Sequence, residues 1–281
     1  MPDSHPVIRG AEPIDLRGHV RRGVTRAPRA ILLVHGFGDT PQTLRALASD
    51  LYASGYDVRV PLLPGHGRSV AMFDAATHEE WIGAVRAELA ALRAKYSWVG
   101  LGGLSMGGAL AAIAAADIPD IPALVLMAPY LGMPLYIRAA AACHSWWSPF
   151  MAPLAASSPD SIHDPVERVK NLAYGSVTGH ALHELAAVVR LARLALPRIQ
   201  APTLIIQSRH DNRISERVAK RSFAALGSTR KELVLTDIGG HILTVDYGKE
   251  RVFETIRAWL EGGPGTIPPT PDASTVHSAA R

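Results

Sequence analysis

Gly103-Leu104-Ser105-Met106-Gly107 has the G-x-S-x-G spacing that suits a nucleophilic serine. Such a pentapeptide turns up by chance in roughly a tenth of chains this long, so its surroundings carry the argument. An apolar run ends at Gly102, and a helix of small residues (Gly107, Gly108, Ala109, Ala111, Ala112) begins just after Ser105. A strand turning abruptly into a helix forces the serine into a strained conformation and lifts its hydroxyl above the sheet. The flanking glycines leave room for that turn. The helix N-terminus points its partial positive charge at the place where a reaction at Ser105 develops negative charge.

A serine hydroxyl is a weak nucleophile at neutral pH and needs a base within hydrogen-bond reach. In a strand–elbow–helix arrangement the partners follow in the order serine, acid, histidine. Of the 12 histidines, only His241 and His277 follow the last strand candidate, and His241 stands in Gly239-Gly240-His241 before the final helix. His241 is therefore the candidate base. The acid is expected in the loop Ser208-Arg209-His210-Asp211, which leaves the preceding strand. Asp211 would fix the tautomer of the imidazole and stabilise the imidazolium formed during attack. Asp237 and Asp246 are its rivals by position.

Acyl transfer also needs donors preorganised around a carbonyl oxygen that becomes negative. The backbone N–H of Met106, next to the serine, is one candidate. The other is the N–H of Phe37 in His35-Gly36-Phe37-Gly38, the loop after the strand at 30–34. A glycine-bounded turn that merely joins strand to helix is the alternative there. His66, in Leu63-Pro64-Gly65-His66-Gly67, is read as structuring its loop, and Asp39, His19 and His180 are given no role. No residues have metal-ligand spacing, and Gly100-Leu101-Gly102 does not extend into a dinucleotide fingerprint, so neither metal nor cofactor is expected.

The elements that must position these residues alternate along the chain. Strand candidates are 30–34, 57–60, 97–102, 123–128, 203–208 and 232–236, several of them continuous apolar runs, as in sheets buried on both faces. Helical periodicity marks 40–54, 78–95, 106–117, 215–226 and 249–260. Thr40 before Pro41 suits a helix start. This alternation predicts an α/β protein with a mostly parallel sheet. It is interrupted from Met133 to Gln200, where proline-punctuated apolar pieces, including Trp146 and Trp147, precede an amphipathic run over 180–196. That run is expected to cover the core. The tail 262–281, with Gly-Gly-Pro-Gly and Ile-Pro-Pro-Thr-Pro, reads as disordered.

Bulk composition narrows the classes. The 281 residues are 48% apolar and 19% charged, enough for one large core and unlike a disordered chain. The net charge of +4 lacks the basic stripe or module of a nucleic-acid binder. No apolar window is long enough to span a membrane, so no stable insertion is expected. The N-terminal ten residues carry prolines and charges with no secretory apolar segment. The single cysteine, Cys143, allows no intrachain disulfide and is compatible with a reducing compartment. A cytoplasmic protein is the expectation.

Taken in order, His35-Gly36-Phe37, Leu63-Pro64-Gly65-His66-Gly67, Gly103-Leu104-Ser105-Met106-Gly107-Gly108, Ser208-Arg209-His210-Asp211 and Gly240-His241 resemble the α/β-hydrolase family, in its bacterial carboxylesterase and monoacylglycerol lipase branch. The resemblance covers about residues 30–260 and includes Leu196-Pro197-Arg198-Ile199 before the strand at 203. It implies an eight-stranded core, 1–132 and 201–261, with a lid inserted over 133–200. It also implies Ser105, Asp211 and His241 as a catalytic triad, with Phe37 and Met106 as oxyanion donors. The activity expected is hydrolysis of a neutral small-molecule ester with a short or medium acyl chain. Serine at the elbow argues against the epoxide hydrolases and haloalkane dehalogenases, which use aspartate. Carbon–carbon bond hydrolases, iminopeptidases and perhydrolases share the triad and stay open, as does a non-catalytic ligand receptor on the same fold.

Overall fold

The computed structural model describes residues 6–18, 29–148, 151–155, 159–263 and 265. The β-rich apolar runs become β1 (Ile14–Leu16), β2 (Arg29–Val34), β3 (Asp57–Val60), β4 (Trp98–Leu104), β5 (Leu124–Met127), β8 (Thr203–Ser208) and β9 (Lys231–Thr236), with a separate short pair, β6 (Leu154–Ala155) and β7 (Ser176–Val177). The seven form one sheet in the order β1-β3-β2-β4-β5-β8-β9. Only β1 runs antiparallel, pairing Ile14 with Val60. Expected strands and observed ones differ in number: the sheet has seven strands among the described residues rather than eight. The three-residue β1 was not foreseen, because Ile14-Asp15-Leu16 is too short to show alternation. Residues 19–28, between β1 and β2, lie outside the described residues, as do 264 and 266–281 of the expected tail.

Helices cover both faces: α1 (Arg45–Ala53) and α10 (Lys249–Gly262) on one, α3 (His78–Arg93), α4 (Met106–Ala116) and α8 (Gly179–Ala195) on the other. Each face has its own core. Trp81, Val85 and Leu89 of α3 and Leu185 and Val188 of α8 join one; Leu47 and Leu51 of α1 and Ile256 and Trp259 of α10 join the other. The sheet strands between them are buried on both sides, which explains the unbroken apolar stretches Ala30–Val34 in β2, Leu124–Met127 in β5 and Leu204–Ile206 in β8.

Local chemistry starts the helices where expected. Thr40 accepts from the Gln42 N–H and Pro41 opens a 3₁₀ turn (Pro41–Leu44) that leads into α1. Thr77 and Glu80 form a reciprocal capping box at the start of α3. Four short helices lie ahead of α3 or between β5 and α8, namely α2 (Val70–Ala75), α5 (Leu135–Ala142), α6 (His144–Trp147) and α7 (Pro165–Lys170), and α9 (Glu216–Ala225) follows β8. The amphipathic run becomes α8, whose apolar face (Leu182, Leu185, Val188, Val189, Ala192) packs on α4 and makes the crossover between the parallel β5 and β8. Before it, Leu135, Tyr136, Trp146 and Met151 expose large apolar surfaces. No helix among the described residues is long and apolar enough to cross a membrane.

Candidate active site

Parallel strands send their C-terminal ends to one edge of the sheet, where crevices form at loop junctions. Four of those ends carry the residues singled out by chemistry. β2 and β4 are neighbours with Val34 opposite Gly103, so the loop His35–Gly38 is laid beside Ser105. β8 and β9 are also neighbours, and their following loops hold Asp211 and His241.

The elbow itself is built by exclusion. Ser105 has φ 56° and ψ −120°, a left-handed conformation strained for a residue with a side chain. A Cβ on Gly107 would lie 2.0 Å from the Val34 carbonyl oxygen, and one on Gly103 would lie 2.2 Å from the Gly107 carbonyl oxygen. Only glycine lets the turn press against β2 this closely. The Ser105 N–H donates to the Met127 carbonyl (2.9 Å), while its own carbonyl accepts from Gly108, Ala109 and Tyr130. The strain is thus held by bonds on both sides of the residue.

His241 joins residues separated by more than a hundred positions. Its Nε2 lies 2.8 Å from Ser105 Oγ, and its Nδ1 lies 2.8 Å from Asp211 Oδ2. The Asp211 side chain is fully buried at 0% exposure, and that of His241 is at 6%. Burial pushes the Asp211 carboxyl up, but His241 and the backbone N–H groups of Ile214 and Arg213 outweigh it and hold the pKa below its ordinary value. An ionised Asp211 requires the proton on His241 Nδ1, which leaves the Nε2 lone pair facing the serine hydroxyl. Such a chain can take a proton from Ser105 and stabilise the positive charge that results.

The rivals of Asp211 are occupied elsewhere. Asp237 forms an exposed two-oxygen pair with Arg209 at 3.0 Å. Asp246 accepts from the backbone N–H groups of His163, Asp164, Gly240 and Tyr247. Burial raises its pKa, and those backbone donors more than reverse the effect, so it too is held low. Asp246 thereby clasps the His241 loop to the segment at 163–164.

The loop after β2 is organised by two neutral histidines. Since the Leu63 N–H donates to His35 Nε2 (3.1 Å), the ring proton sits on Nδ1 and is donated to the Gly36 carbonyl (3.0 Å). His66 repeats the pattern: Nε2 accepts from the Gly38 N–H (3.2 Å) and Nδ1 donates to the Pro64 carbonyl (2.9 Å). Burial lowers His66 to about 4 and His35 well below its ordinary value, so both stay neutral and can accept. His66 thus structures two loops at once, its own and the one bearing Phe37. With the Gly38 N–H taken and the Asp39 N–H turned to the Gly36 carbonyl, the N–H groups of Phe37 and Met106 are left with no protein acceptor among the described residues.

Three residues here were not foreseen. Asp39, given no role from sequence, is a buried carboxylate beside the site: its oxygens accept from Thr40 N–H (2.8 Å) and Thr43 Oγ1 (2.7 Å). Burial raises it to about 6, against the stabilising pull of Thr43, Thr40 and His241. Gln207 donates from Nε2 to Asp211 Oδ2 at 2.7 Å, and its visible signal was an amide following the apolar stretch Leu204–Ile206 in β8. Tyr174 links the segment before α8 to both loops: its N–H donates to the Gly38 carbonyl and its hydroxyl to the Gly65 carbonyl, each 3.0 Å.

A mostly parallel sheet with helices on both faces and a serine elbow at its C-terminal edge defines an α/β-hydrolase. The sequence profile of the family described as serine aminopeptidase, S33, matches residues 25–247. The chain is 31% identical over 256 residues to a thermostable monoacylglycerol lipase of Bacillus sp., covering 90% of this chain and 96% of that one. It is 24% identical over 237 residues to a carboxylesterase of Bacillus subtilis, covering 83% and 92% respectively. Among solved structures, one described with the metagenome-derived lipolytic enzymes LipS and LipT superposes with a TM-score of 0.80 at 30% identity, covering 91% of this chain and 99% of that one. A monoacylglycerol lipase of Paleococcus ferrophilus shares the fold, with a TM-score of 0.73 at 21% identity and coverage of 88% and 97%. The chain belongs to the S33 family of α/β-hydrolases, in its esterase and monoacylglycerol lipase branch. It is a hydrolase of the carboxylesterase and lipase type.

Proposed function

We propose that this enzyme is a serine carboxylester hydrolase acting on neutral esters of short to medium acyl chains, monoacylglycerols among them. The observation that carries the reading is the unbroken hydrogen-bonded line from Ser105 Oγ through His241 to Asp211, 2.8 Å at each step. Ser105 attacks the ester carbonyl as its proton passes to His241 Nε2, and Asp211 stabilises the imidazolium. The tetrahedral oxyanion is received by the N–H groups of Phe37 and Met106, each such donor being worth about 10²–10³ in kcat. Collapse breaks the ester C–O bond; His241 returns the proton to the leaving alcohol and an acyl-Ser105 remains. Water, deprotonated by His241, attacks that acyl group, and the carboxylic acid leaves with Ser105 restored.

The apolar character of the segment 133–178 suits an apolar acyl chain, and we assign that segment as the lid, with α8 belonging to the core on which it packs. The aromatic group Phe37, Phe73 and Trp81, with rings 4.9–6.3 Å apart, lies against the oxyanion loop and supplies an apolar wall. The monoacylglycerol preference leans on the Bacillus sp. relative. We place the enzyme in the cytoplasm, where an exposed lone thiol such as Cys143 stays reduced.

The test is release of p-nitrophenol from a chain-length series of p-nitrophenyl esters by wild type and Ser105→Ala, with 1-monoacylglycerols and aminoacyl p-nitroanilides as further arms. Turnover peaking at one acyl length, lost in Ser105→Ala and absent on anilides, supports the reading. Ester turnover unchanged in Ser105→Ala, or turnover of anilides alone, overturns it.

A further inference from the structure

Asp211 is held by more donors than the orientation of one imidazole requires. Its Oδ1 accepts the backbone N–H groups of Arg213 (2.7 Å) and Ile214 (2.9 Å), and fixing that oxygen fixes the rotation of the carboxylate. Its Oδ2 accepts the His241 Nδ1–H at 2.8 Å and also the Gln207 Nε2–H at 2.7 Å. Gln207 therefore shares the oxygen that faces the base. Its surroundings set the orientation of its amide. Nε2 also lies 3.0 Å from the Ile214 carbonyl oxygen and 3.2 Å from that of Ser208, so an oxygen in its place would meet three acceptors.

This arrangement costs stability. Gln207 is fully buried, and its Oε1 has no hydrogen-bond donor among the described residues. A buried acceptor left unpaired is expensive, and a hydrocarbon side chain of similar size would avoid it. Gln207 does brace the loop 208–214 through the two carbonyls, but the bonds to Asp211 Oδ1 already close that loop. Its distinctive contribution is the second donor on Oδ2, and the consequence is electrostatic. A donor on a carboxylate oxygen stabilises the charge there and weakens the pull of that oxygen on its other partner. Less charge facing the Nδ1–H makes a less basic imidazole.

We propose that Gln207 is a positioning residue that restrains the basicity of His241 through Asp211, so that the base stays neutral further into acid. The proposal rests on the serine-hydrolase reading of Ser105, His241 and Asp211. The other titratable and charged groups around the pair are Asp39 from the loop after β2, Tyr130 from the loop after β5, Arg213 beside Asp211 and Asp246 beside His241. Gln207 hydrogen-bonds to none of these side chains, so replacing it leaves their contacts in place.

The test is the pH profile of kcat/KM on a p-nitrophenyl ester for wild type, Gln207→Met and Gln207→Leu. An NMR pH titration of the His241 ring, its signal assigned with His241→Gln, is run on the same proteins. Removing the donor returns charge to Asp211 Oδ2, stabilises the imidazolium and demands a higher pH before the base is free. The acid limb and the His241 titration should both move up by about half a pH unit or more in each variant. The shift should persist in an Asp39→Asn background, which removes the carboxyl that titrates at about 6, and vanish in an Asp211→Asn background. A limb and titration that stay in place or move down, even with a uniform loss of rate, overturn the proposal, as does a shift that survives Asp211→Asn. Absence of ester turnover by wild type overturns the esterase reading instead, and the His241 titration then decides the role of Gln207 by itself.

Discussion

Asp39→Asn should make the protein more stable at neutral pH, although it removes a charge beside the active site. Asp39 is 4% exposed, and burial lifts its carboxyl from the ordinary 3.8 to about 6. That displacement corresponds to about 3 kcal/mol spent on keeping the buried group ionised. Asparagine has the shape of the neutral acid. Its oxygen can keep the Thr40 N–H, and its amide can donate to Thr43 Oγ1, which has a second acceptor in the Thr40 carbonyl at 3.2 Å. The sign follows from proton counting. Between about pH 4 and pH 6 the folded wild type holds more protons than the unfolded chain, so its stability falls as pH rises. The asparagine variant lacks this loss. Its advantage should be near zero at pH 4, grow through pH 5 and level off at about 3 kcal/mol by pH 7. Urea unfolding of both proteins at those three pH values, with equal m-values, measures it. A variant less stable than wild type at pH 7, or a difference that does not change between pH 4 and pH 7, would refute the reasoning.

Other substitutions probe the site from different sides. Asp211→Asn should lower kcat by about 10⁴ with little change in KM, because it deprives His241 of its charge partner and favours the wrong tautomer; a loss below tenfold would contradict the assignment. His66→Phe removes the acceptor of the Gly38 N–H while keeping bulk, so kcat should fall by about tenfold or more; an unchanged kcat would show that the loop holds its shape without His66. Gly107→Ala forces a Cβ to 2.0 Å from the Val34 carbonyl oxygen and should destabilise by more than about 4 kcal/mol, read as loss of soluble folded protein or of its unfolding transition. Asp246→Ala frees the N–H groups of His163, Asp164 and Gly240, so proteolytic nicking near residue 163 should rise together with a fall in kcat; unchanged nicking would count against the clasp.

Much of the site was legible because its signals are local. The elbow is a steric statement about five consecutive residues, and glycines at 103 and 107 announce close backbone approaches before any partner is known. The strands were legible for a related reason: burial on both faces writes continuous apolar runs, so β2 and β8 were found to within a residue. The serine, acid, histidine order of this fold pointed to the loops after β8 and β9, whose strands mark where those loops begin. What sequence left open was which neighbours meet. Asp211, Asp237 and Asp246 all lie in loops at one sheet edge, and only the packing of β8 beside β9 sets Asp211 against His241 while turning the others to Arg209 and to the backbone. Asp39 and Gln207 gained their meaning from burial, which depends on what covers them. The tautomers of His35 and His66 depend on N–H donors 28 positions away in each case. Packing also says what a helix covers: the amphipathic pattern over 180–196 announces a covering helix, and its seat on α4 shows which surface it covers. Local sterics and periodicity are properties of neighbouring residues in the chain; charge, tautomer and partnership belong to groups that tertiary packing brings out of water together.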